Sequence, residues 1–444
     1  MSFPKVLIYH QTFNNFSGGG ITLSNLFKGW PIDRIAVVSR VEMMDGVSFE
    51  ICNTYYQIGK EEDRYIFPLN LIQRESQSGL LTHALAGGLP LSSQRLGLRS
   101  KLVDQFFFPV MNWLGLFHLL SRISLSQKLK DWLDEFKPDI LYLQADNRNS
   151  VLFVTKLCEY LNIPSVIHIM DDWPSKKTSK RFFGKLWIKK IDKEYRELLN
   201  MVDLHFSICD AMSVEYKKRY NKSFIAFHNP IEIDKWLPYT KSDFSLHQKD
   251  VTILYTGRIG LGITDSLLEV AAAIDQMNET DFNIKLHIQT PSKQQKTTDL
   301  LQNFKCVVIN PFVDYSKIPE ITSKADILLL ANDFSKEGID FLRFSMPTKA
   351  SEYMISGTPV LVYASAETAV SKFFKEHECG YCLTQQNSEQ IIKAIQFMID
   401  NEEYRKRISQ KAIEIAKERF NSEQVRNKFQ QQLKNLCNLE ASLN

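Results

Sequence analysis

Short apolar runs alternate along the chain with longer stretches whose apolar positions recur at helical spacing. In the first half the short runs are "KVLIYH" (5–10), "RIAVVS" (34–39), "DILYLQ" (139–144), "SVIHIM" (165–170) and "LHFSIC" (204–209). Each is rich in β-branched or aromatic residues and too short for a stable isolated helix, so each predicts a strand. "NSVLFVTKLCEYLN" (149–162) has apolar residues at i, i+3 and i+4 and predicts a helix between two of them. A second series starts at residue 250. Its strands are "DVTILYTG" (250–257), "NIKLHIQT" (283–290), "KCVVINPF" (305–312), "DILLLAN" (326–332) and "PVLVYA" (359–364). The intervening helices are "DSLLEVAAAIDQM", "KIPEITSKA" and "TKASEYMISG". Such alternation predicts an α/β protein with parallel sheets.

No sequence repeat is visible, yet the same architecture occurs twice. Two doubly wound halves of about 200 residues each account for the pattern. The expected domains are 1–235 and 245–420, and a charged helical stretch, 421–444, is expected to cross back to the first domain. The boundary is expected in "HNPIEIDKWLPYTKSDFSLHQKD" (228–250), which is polar, Pro-containing and non-periodic, as a linker would be.

Composition narrows the function classes. An apolar fraction of 44% and a charged fraction of 24% describe an ordinary globular protein. The net charge of +3 is too balanced to point to nucleic acid. The seven Cys are scattered and odd in number, so no disulfide framework is expected. Cys379 and Cys382 form one CxxC without a second pair or a matching His, and read as two thiols flanking a turn glycine rather than a zinc site. "MSFPKVLIYH" reads as a first strand, not a signal peptide, and no run is long and apolar enough to span a bilayer. A cytoplasmic protein is expected.

Open α/β sheets bind ligands at the carboxyl ends of their strands, so the residues just after each strand hold the candidate chemistry. After the first strand, Gly18, Gly19 and Gly20 precede a helix expected to begin near Thr22. Glycine lets backbone N–H groups approach an anion at a helix N-terminus. A plain turn would use the same residues. After "SVIHIM" come Asp171 and Asp172, then Pro174. Paired carboxylates there can bind Mg²⁺, act as a base or hydrogen-bond a polyol; a helix cap is the structural alternative. His168, on the strand itself, reads as a core histidine. Arg258 in "YTGRIG" is placed to clamp a diphosphate, or to make a surface salt bridge.

The richest stretch is "FSMPTKASEYMISGTPVLVYA" (344–364). Pro347 sets the entry to a short helix, and Gly357 stops it before Pro359. Thr348, Lys349 and Glu352 fall within about one turn. A Lys near a helix N-terminus can hold phosphate, and a Glu one turn in can accept both hydroxyls of a ribose. The alternative is a surface Lys–Glu pair worth a few tenths of a kcal/mol.

"TGRIG", "ADILLL", "PTKASEYMISGTPVLVY" and "KERFNSEQ", in that order, resemble the donor half of retaining glycosyltransferases of GT-B fold, the glycosyltransferase group 1 (family 4) set. "FKPDILYLQ", "LNIPSVIHIMDDW", "FSICDAMSVEYKKRY" and "FIAFHNPIEIDKW" are similar to strand ends of its first half, and the likeness thins between about 45 and 130. The resemblance implies a GT-B fold of two Rossmann-like domains. It also implies a nucleotide-diphosphate sugar as donor and substrate, a glycan or lipid-linked acceptor, and no metal or other cofactor. Glu352 would bind the ribose, Arg258 the diphosphate and Val313 the base, with Gly19 and Gly20 facing the leaving phosphate. Lys349 and Thr348 complete the expected donor set, and Asp171, Arg258 and Lys349 the expected catalytic set.

Three positions depart from the family's pattern. Phe344 stands where its first Glu falls, with Glu337 or Asp340 as possible replacements. Leu261 stands where a second diphosphate cation is usual, and Lys349 can supply that charge. Met170 stands where the family has a His, which shifts attention to Asp171. A non-catalytic glycan-binding subunit and a nucleotide-sugar epimerase are the alternative functions on this fold. Two stretches suggest peripheral contact with anionic membrane: the apolar "DQFFFPVMNWLGLFHLLSR" (104–122) and the basic, aromatic "KKTSKRFFGKLWIKK" (176–190). A core helix and a solvated helical face are their plain readings.

Overall fold

A computed structural model gives the fold. It describes residues 3–67, 69–71, 73, 76–81, 110, 111, 113, 117–175, 183–246, 250–290, 294–311 and 313–441. Most of the apolar stretch 104–122 and residues 176–182 of the basic one lie outside the described residues. The chain divides into two compact units, residues 1–227 with 427–444, and residues 228–426.

The N-terminal unit contains strands β1 (Val6–Tyr9), β2 (Ile35–Arg40), β3 (Tyr55–Ile58), β4 (Asp63–Tyr65), β5 (Gly79–Leu81), β6 (Ser121–Ile123), β7 (Ile140–Leu143), β8 (Ser165–Ile169), β9 (Leu204–Ser207) and β10 (Ile225–Ala226). Eight of them form one sheet, ordered β10-β9-β8-β7-β1-β2-β3-β5. All its pairs are parallel except β3 with β5. β4 and β6 form a separate antiparallel pair. The central strands are buried along their whole length, as expected where helices cover both faces of a parallel sheet. Asn147 caps the helix Arg148–Leu161 by accepting from Ser150 N, and Asn162 ends it in a left-handed conformation.

The C-terminal unit contains β11 (Asp250–Thr256), β12 (Asn283–Gln289), β13 (Val307–Asn310), β14 (Ile327–Ala331), β15 (Val360–Tyr363) and β16 (Tyr381–Leu383). They form one parallel sheet ordered β13-β12-β11-β14-β15-β16. Numbered from β11, this is the 3-2-1-4-5-6 order of a dinucleotide-binding fold. Its core joins Ile253 and Tyr255 of β11, Leu267 and Ile274 of the helix Thr264–Met277, and Leu329 of β14.

The expected linker is not a free connection. Lys241 N donates to Ser356 O at 2.8 Å, Thr240 Oγ1 to Ile355 O at 3.3 Å, and Lys241 Nζ to Ala325 O at 3.0 Å. Arg405, 2% exposed, reaches Phe244 O as well as the carbonyls of Met398 and Ile399. The polar residues of this stretch pair with helix-end carbonyls, so their polarity marks paired backbone rather than solvation. The helix Ser422–Ala441 joins the first unit from Asn427 on. There Phe429 packs against Phe27, Tyr142, Phe206 and Phe227, and Gln430 Nε2 donates to Leu26 O and Lys28 O.

Candidate functional site

The candidate site of the C-terminal unit is built on the end of β11. At that end the strand order reverses between β11 and β14, where open α/β sheets leave a ligand crevice. Gly257, Gly260 and Gly262 follow with φ of +117°, +119° and +83°, a backbone that only glycine adopts easily. The helix Thr348–Ser356 packs against this turn. Pro347 starts it, and Gly357, at φ +71°, ends it.

Two tyrosines and a lysine lock helix to strand. Tyr353 Oη accepts from Thr256 N at 2.7 Å and lies 3.1 Å from Thr256 Oγ1. Lys349 Nζ donates to Thr256 O at 2.8 Å and sits 3.5 Å above the ring centre of Tyr255. Burial pushes the Lys349 ammonium well below its ordinary pKa; the Arg258 charge adds to this, and Glu352 opposes it.

Glu352 is 5% exposed. Its Oε1 accepts from Tyr315 Oη at 2.7 Å. Burial raises the carboxyl above the usual range, while the Tyr315 hydrogen bond and Lys349 pull it down. Tyr315 comes from the loop after β13 that also carries Val313, and Asp314 fixes that loop by accepting from Ser316 N at 2.9 Å. Arg258 is exposed; it donates to Leu261 O at 3.0 Å, and its guanidinium lies 5.3 Å from the Phe341 ring centre. Thr348 is the first helical residue and half-buried.

Thus Arg258, Thr348, Lys349 and Glu352 share the β11 end and one helix, and the Val313 loop joins them through Tyr315. Gly19, Gly20 and Asp171 belong to the N-terminal unit. There the glycines do not precede the helix, as expected; they form its first turn. The helix is Gly18–Phe27, capped by Ser17, whose Oγ accepts from Gly20 N. A Cβ on Gly19 would stand 2.4 Å from Gln11 Oε1, and one on Gly20 2.3 Å from the Asn14 side chain. Asn14 is fixed by its bonds to Ser17, so packing requires glycine at position 20; at Gly19 the neighbour is the end of the Gln11 side chain.

Asp171 is exposed and its carbonyl accepts from Trp173 N at 2.9 Å. Asp172 is buried and accepts from Arg219 Nη1 and Nη2 at 2.9 and 3.0 Å and from Tyr216 Oη at 2.9 Å. His168 is a core residue, with Nδ1 2.6 Å from Tyr142 Oη; burial pushes its pKa down to about 3. Phe344 is buried, and Asp340 pairs with Lys336 at 3.7 Å and Arg343 at 4.0 Å. Glu337 lies in the first turn of the helix Lys336–Leu342. Cys379 is buried and Cys382 lies on β16; both are free thiols pushed up to about 12 by burial.

Two site residues escaped the sequence reading. Tyr315 lies two positions after Val313, inside a loop whose Asp and Ser mark a turn but whose ring carries no positional signal. Asp333 comes two residues after β14 ends, so the strand-end rule applied to "ILLLAND" points to it. It is 4% exposed, accepts from Ser266 N at 2.9 Å, and is raised to about 6 by burial with Asp265 and Glu269 nearby.

Two doubly wound units of this kind make the GT-B fold, which the chain shares with solved glycosyltransferase structures. Residues 240–415 match the model of the family described as Glycosyl transferases group 1. Sucrose-phosphate synthase from Thermosynechococcus elongatus superposes with a TM-score of 0.60 at 13% identity, covering 97% of this chain and 98% of that one. Anabaena HepE, in complex with UDP and glucose, gives 0.61 at 14% identity, covering 97% and 100%. A variant of S. aureus TarM with fondaparinux, alpha-GlcNAc-glycerol and UDP gives 0.58 at 13% identity, covering 98% and 100%. None of the curated protein sequences matches the chain. Among the described residues, no helix is long and apolar enough to cross a membrane.

Proposed function

We propose that this chain transfers a sugar, with retention, from a nucleotide-diphosphate donor to a glycan or lipid-linked acceptor in cell-surface polysaccharide or glycoconjugate synthesis. One observation carries the reading: the Glu352 carboxylate is buried one turn into the helix behind the β11 end, beside Lys349. A buried carboxylate with one oxygen held by Tyr315 keeps its second oxygen for a ribose hydroxyl. Arg258 and Lys349 then offset the diphosphate charge, with Val313 beside the base and no metal required. The UDP held by HepE and TarM agrees in kind with such a donor. Asp171 orients the acceptor hydroxyl or the sugar, and the helix N-terminus at Gly19 and Gly20 faces the leaving phosphate. The protein works in the cytoplasm, at the inner face of the membrane.

The test is a thermal-shift screen of nucleotide sugars with EDTA present. A donor at 100 times its Kd adds about 2.7 kcal/mol of stability. Glu352→Ala is expected to abolish the shift while remaining folded. If no nucleotide sugar stabilises the wild type, or the variant responds equally, the reading fails.

A further inference from the structure

The turn after β11 that carries Arg258 is tied to the loop after β14. Asp333 comes two residues after that strand, and its amide donates to Gly262 O at 2.8 Å. Its Oδ1 accepts from Ser266 N at 2.9 Å, in the first turn of the helix Thr264–Met277. That helix has no cap of its own: Ile263 stands at the N-cap position and makes no side-chain capping bond. The first N–H groups of a helix need an acceptor, and here a carboxylate from another strand end supplies one. Ser266 Oγ in turn donates to Asn332 O at 2.9 Å.

Both supports of the Arg258 side chain run back to this joint. Arg258 Nη1 donates to Leu261 O at 3.0 Å, one residue before Gly262. The guanidinium also lies 5.3 Å from the ring centre of Phe341. Phe341 belongs to the helix Lys336–Leu342, which meets Asp333 at Gly338. A Cβ on Gly338 would stand 2.8 Å from Asp333 Cβ, so only glycine allows that approach. Gly262 meets the same helix, because a Cβ there would stand 3.0 Å from Leu342 Cδ1. The turn itself has positive φ at Gly257, Gly260 and Gly262. Glycine restricts the backbone least, so the turn takes its shape from what it is tied to.

The joint uses the Asp333 side chain as an acceptor rather than as a charge. Asp333 is 4% exposed, and the charges nearest it are the acidic Asp265 and Glu269. Burial, helped by these two, raises its carboxyl to about 6, while the bonds from Ser266 N and Asp265 N oppose the rise. Ionisation therefore costs folding free energy above the ordinary carboxyl range. A neutral acceptor at the same point would cap the helix without that cost.

We propose that Asp333 is a positioning residue: it anchors the glycine turn and the Phe341 helix together, and so holds the Arg258 guanidinium where a nucleotide's diphosphate binds. An arginine ordered beforehand loses less freedom when its ligand arrives. The inference rests on the donor reading for the ligand of Arg258, and adds the residue that sets this cation in place.

The test is calorimetric titration of the full chain with UDP, GDP and ADP. Asp333→Ala removes the acceptor and is expected to weaken the tightest of the three roughly tenfold. Asp333→Asn keeps an acceptor for Ser266 N. It is expected to bind within about threefold of wild type and to melt higher at pH 7, the gain shrinking as pH falls below about 6. A cap that only supports the fold would not act through Arg258. On an Arg258→Ala background Asp333→Ala is therefore expected to add less than about twofold. If Asp333→Ala binds as wild type does, or its loss is undiminished on that background, Asp333 is only a helix cap and the proposal falls. Should Asp333→Ala not fold, Gly338→Ala takes its place, because the added methyl displaces Asp333 without removing it; wild-type affinity in that variant overturns the proposal equally. If the wild type binds none of the three nucleotides, the donor reading falls, and hydrogen exchange of the amides of 257–266 decides the anchor. Exchange roughly tenfold faster in Asp333→Ala upholds it, and an equal rate overturns it.

Discussion

Tyr315 Oη donates a 2.7 Å hydrogen bond to Glu352 Oε1, so the buried Glu352 carboxylate is held from a loop on the far side of β11. That bond pulls the Glu352 pKa down against burial. Tyr315→Phe removes it and leaves a buried oxygen unpaired. A hydrogen bond to a charged group contributes about 1.5–3 kcal/mol. Nucleotide affinity is expected to fall roughly tenfold, at about 1.4 kcal/mol per decade. The acid limb of binding should also move to higher pH, because the carboxyl protonates sooner. An affinity–pH profile identical to wild type would show that the bond does not tune Glu352.

Glu352 also carries a stability consequence. Its folded pKa is raised, so ionisation costs folding free energy above the ordinary carboxyl range, and the cost is relieved as pH falls. Glu352→Gln removes the charge and keeps an acceptor for Tyr315. The ligand-free variant is expected to melt at or above the wild-type temperature at pH 7 while losing the nucleotide-sugar shift. A clear drop in melting temperature would make Glu352 a structural residue first.

The neighbours Asp171 and Asp172 should separate cleanly. Asp172 is buried against Arg219 and Tyr216, and breaking a buried pair from one side costs about 3–5 kcal/mol. Asp172→Ala is therefore expected to lower the melting temperature by many degrees. Asp171 is exposed, so Asp171→Asn should leave melting temperature and nucleotide affinity unchanged while lowering the transfer rate at least tenfold. Transfer at the wild-type rate would remove Asp171 from the mechanism.

These contrasts show where the sequence was legible. Strands such as Ile253–Tyr255 and Leu328–Leu330 are apolar runs buried on both faces, and burial is what composition reports. β3 and β16 were missed, as were the short strands β4, β5, β6 and β10. The first follows a loop with no clean alternation, and the second has three residues beside a CxxC that draws the eye to chemistry. Pro347 and Gly357 made the helix Thr348–Ser356 readable, because both act through local backbone preference. The pairing of Tyr315 with Glu352 was not readable. It depends on strands distant in sequence that become neighbours only in the sheet.

His168 offers a pH test of the N-terminal core. Its pKa is about 3 in the folded chain and about 6.5 when free. The folded state keeps the ring neutral and the unfolded state protonates it. Stability contributed by this group is complete above pH ~6.5 and falls by about 1.4 kcal/mol per pH unit below it, until the folded pKa is reached. His168→Gln cannot be protonated, so its stability should decline less steeply between pH 6 and 4 in denaturant titrations. Parallel curves would mean that the imidazole does not govern the acid response.

The membrane prediction rests on one helix end. The helix Gly184–Met201 carries Leu186, 66% exposed, in its first turn and places Lys189, Lys190 and Lys193 three, four and seven positions later, on the same face. Phe183, at the cap, is 42% exposed, whereas Trp187 turns inward and packs on the Arg148 guanidinium at 5.2 Å. An exposed apolar residue ringed by lysines matches an interfacial helix, in which the side chain enters the headgroup layer and each nearby cation adds about 1 kcal/mol on an anionic surface. Replacing Lys185, Lys189 and Lys190 with Glu reverses three exposed charges, of which only Lys190 also lies over the buried Trp187 ring, at 5.5 Å. Co-sedimentation with phosphatidylglycerol vesicles should fall at least tenfold, and the difference should shrink from 20 mM to 500 mM salt as screening shortens the reach of these charges. Leu186→Ser should weaken binding at both salt concentrations, since its contribution is apolar. If the wild-type chain does not sediment with such vesicles at low salt, this face is solvated and contact with the membrane is ruled out at this helix.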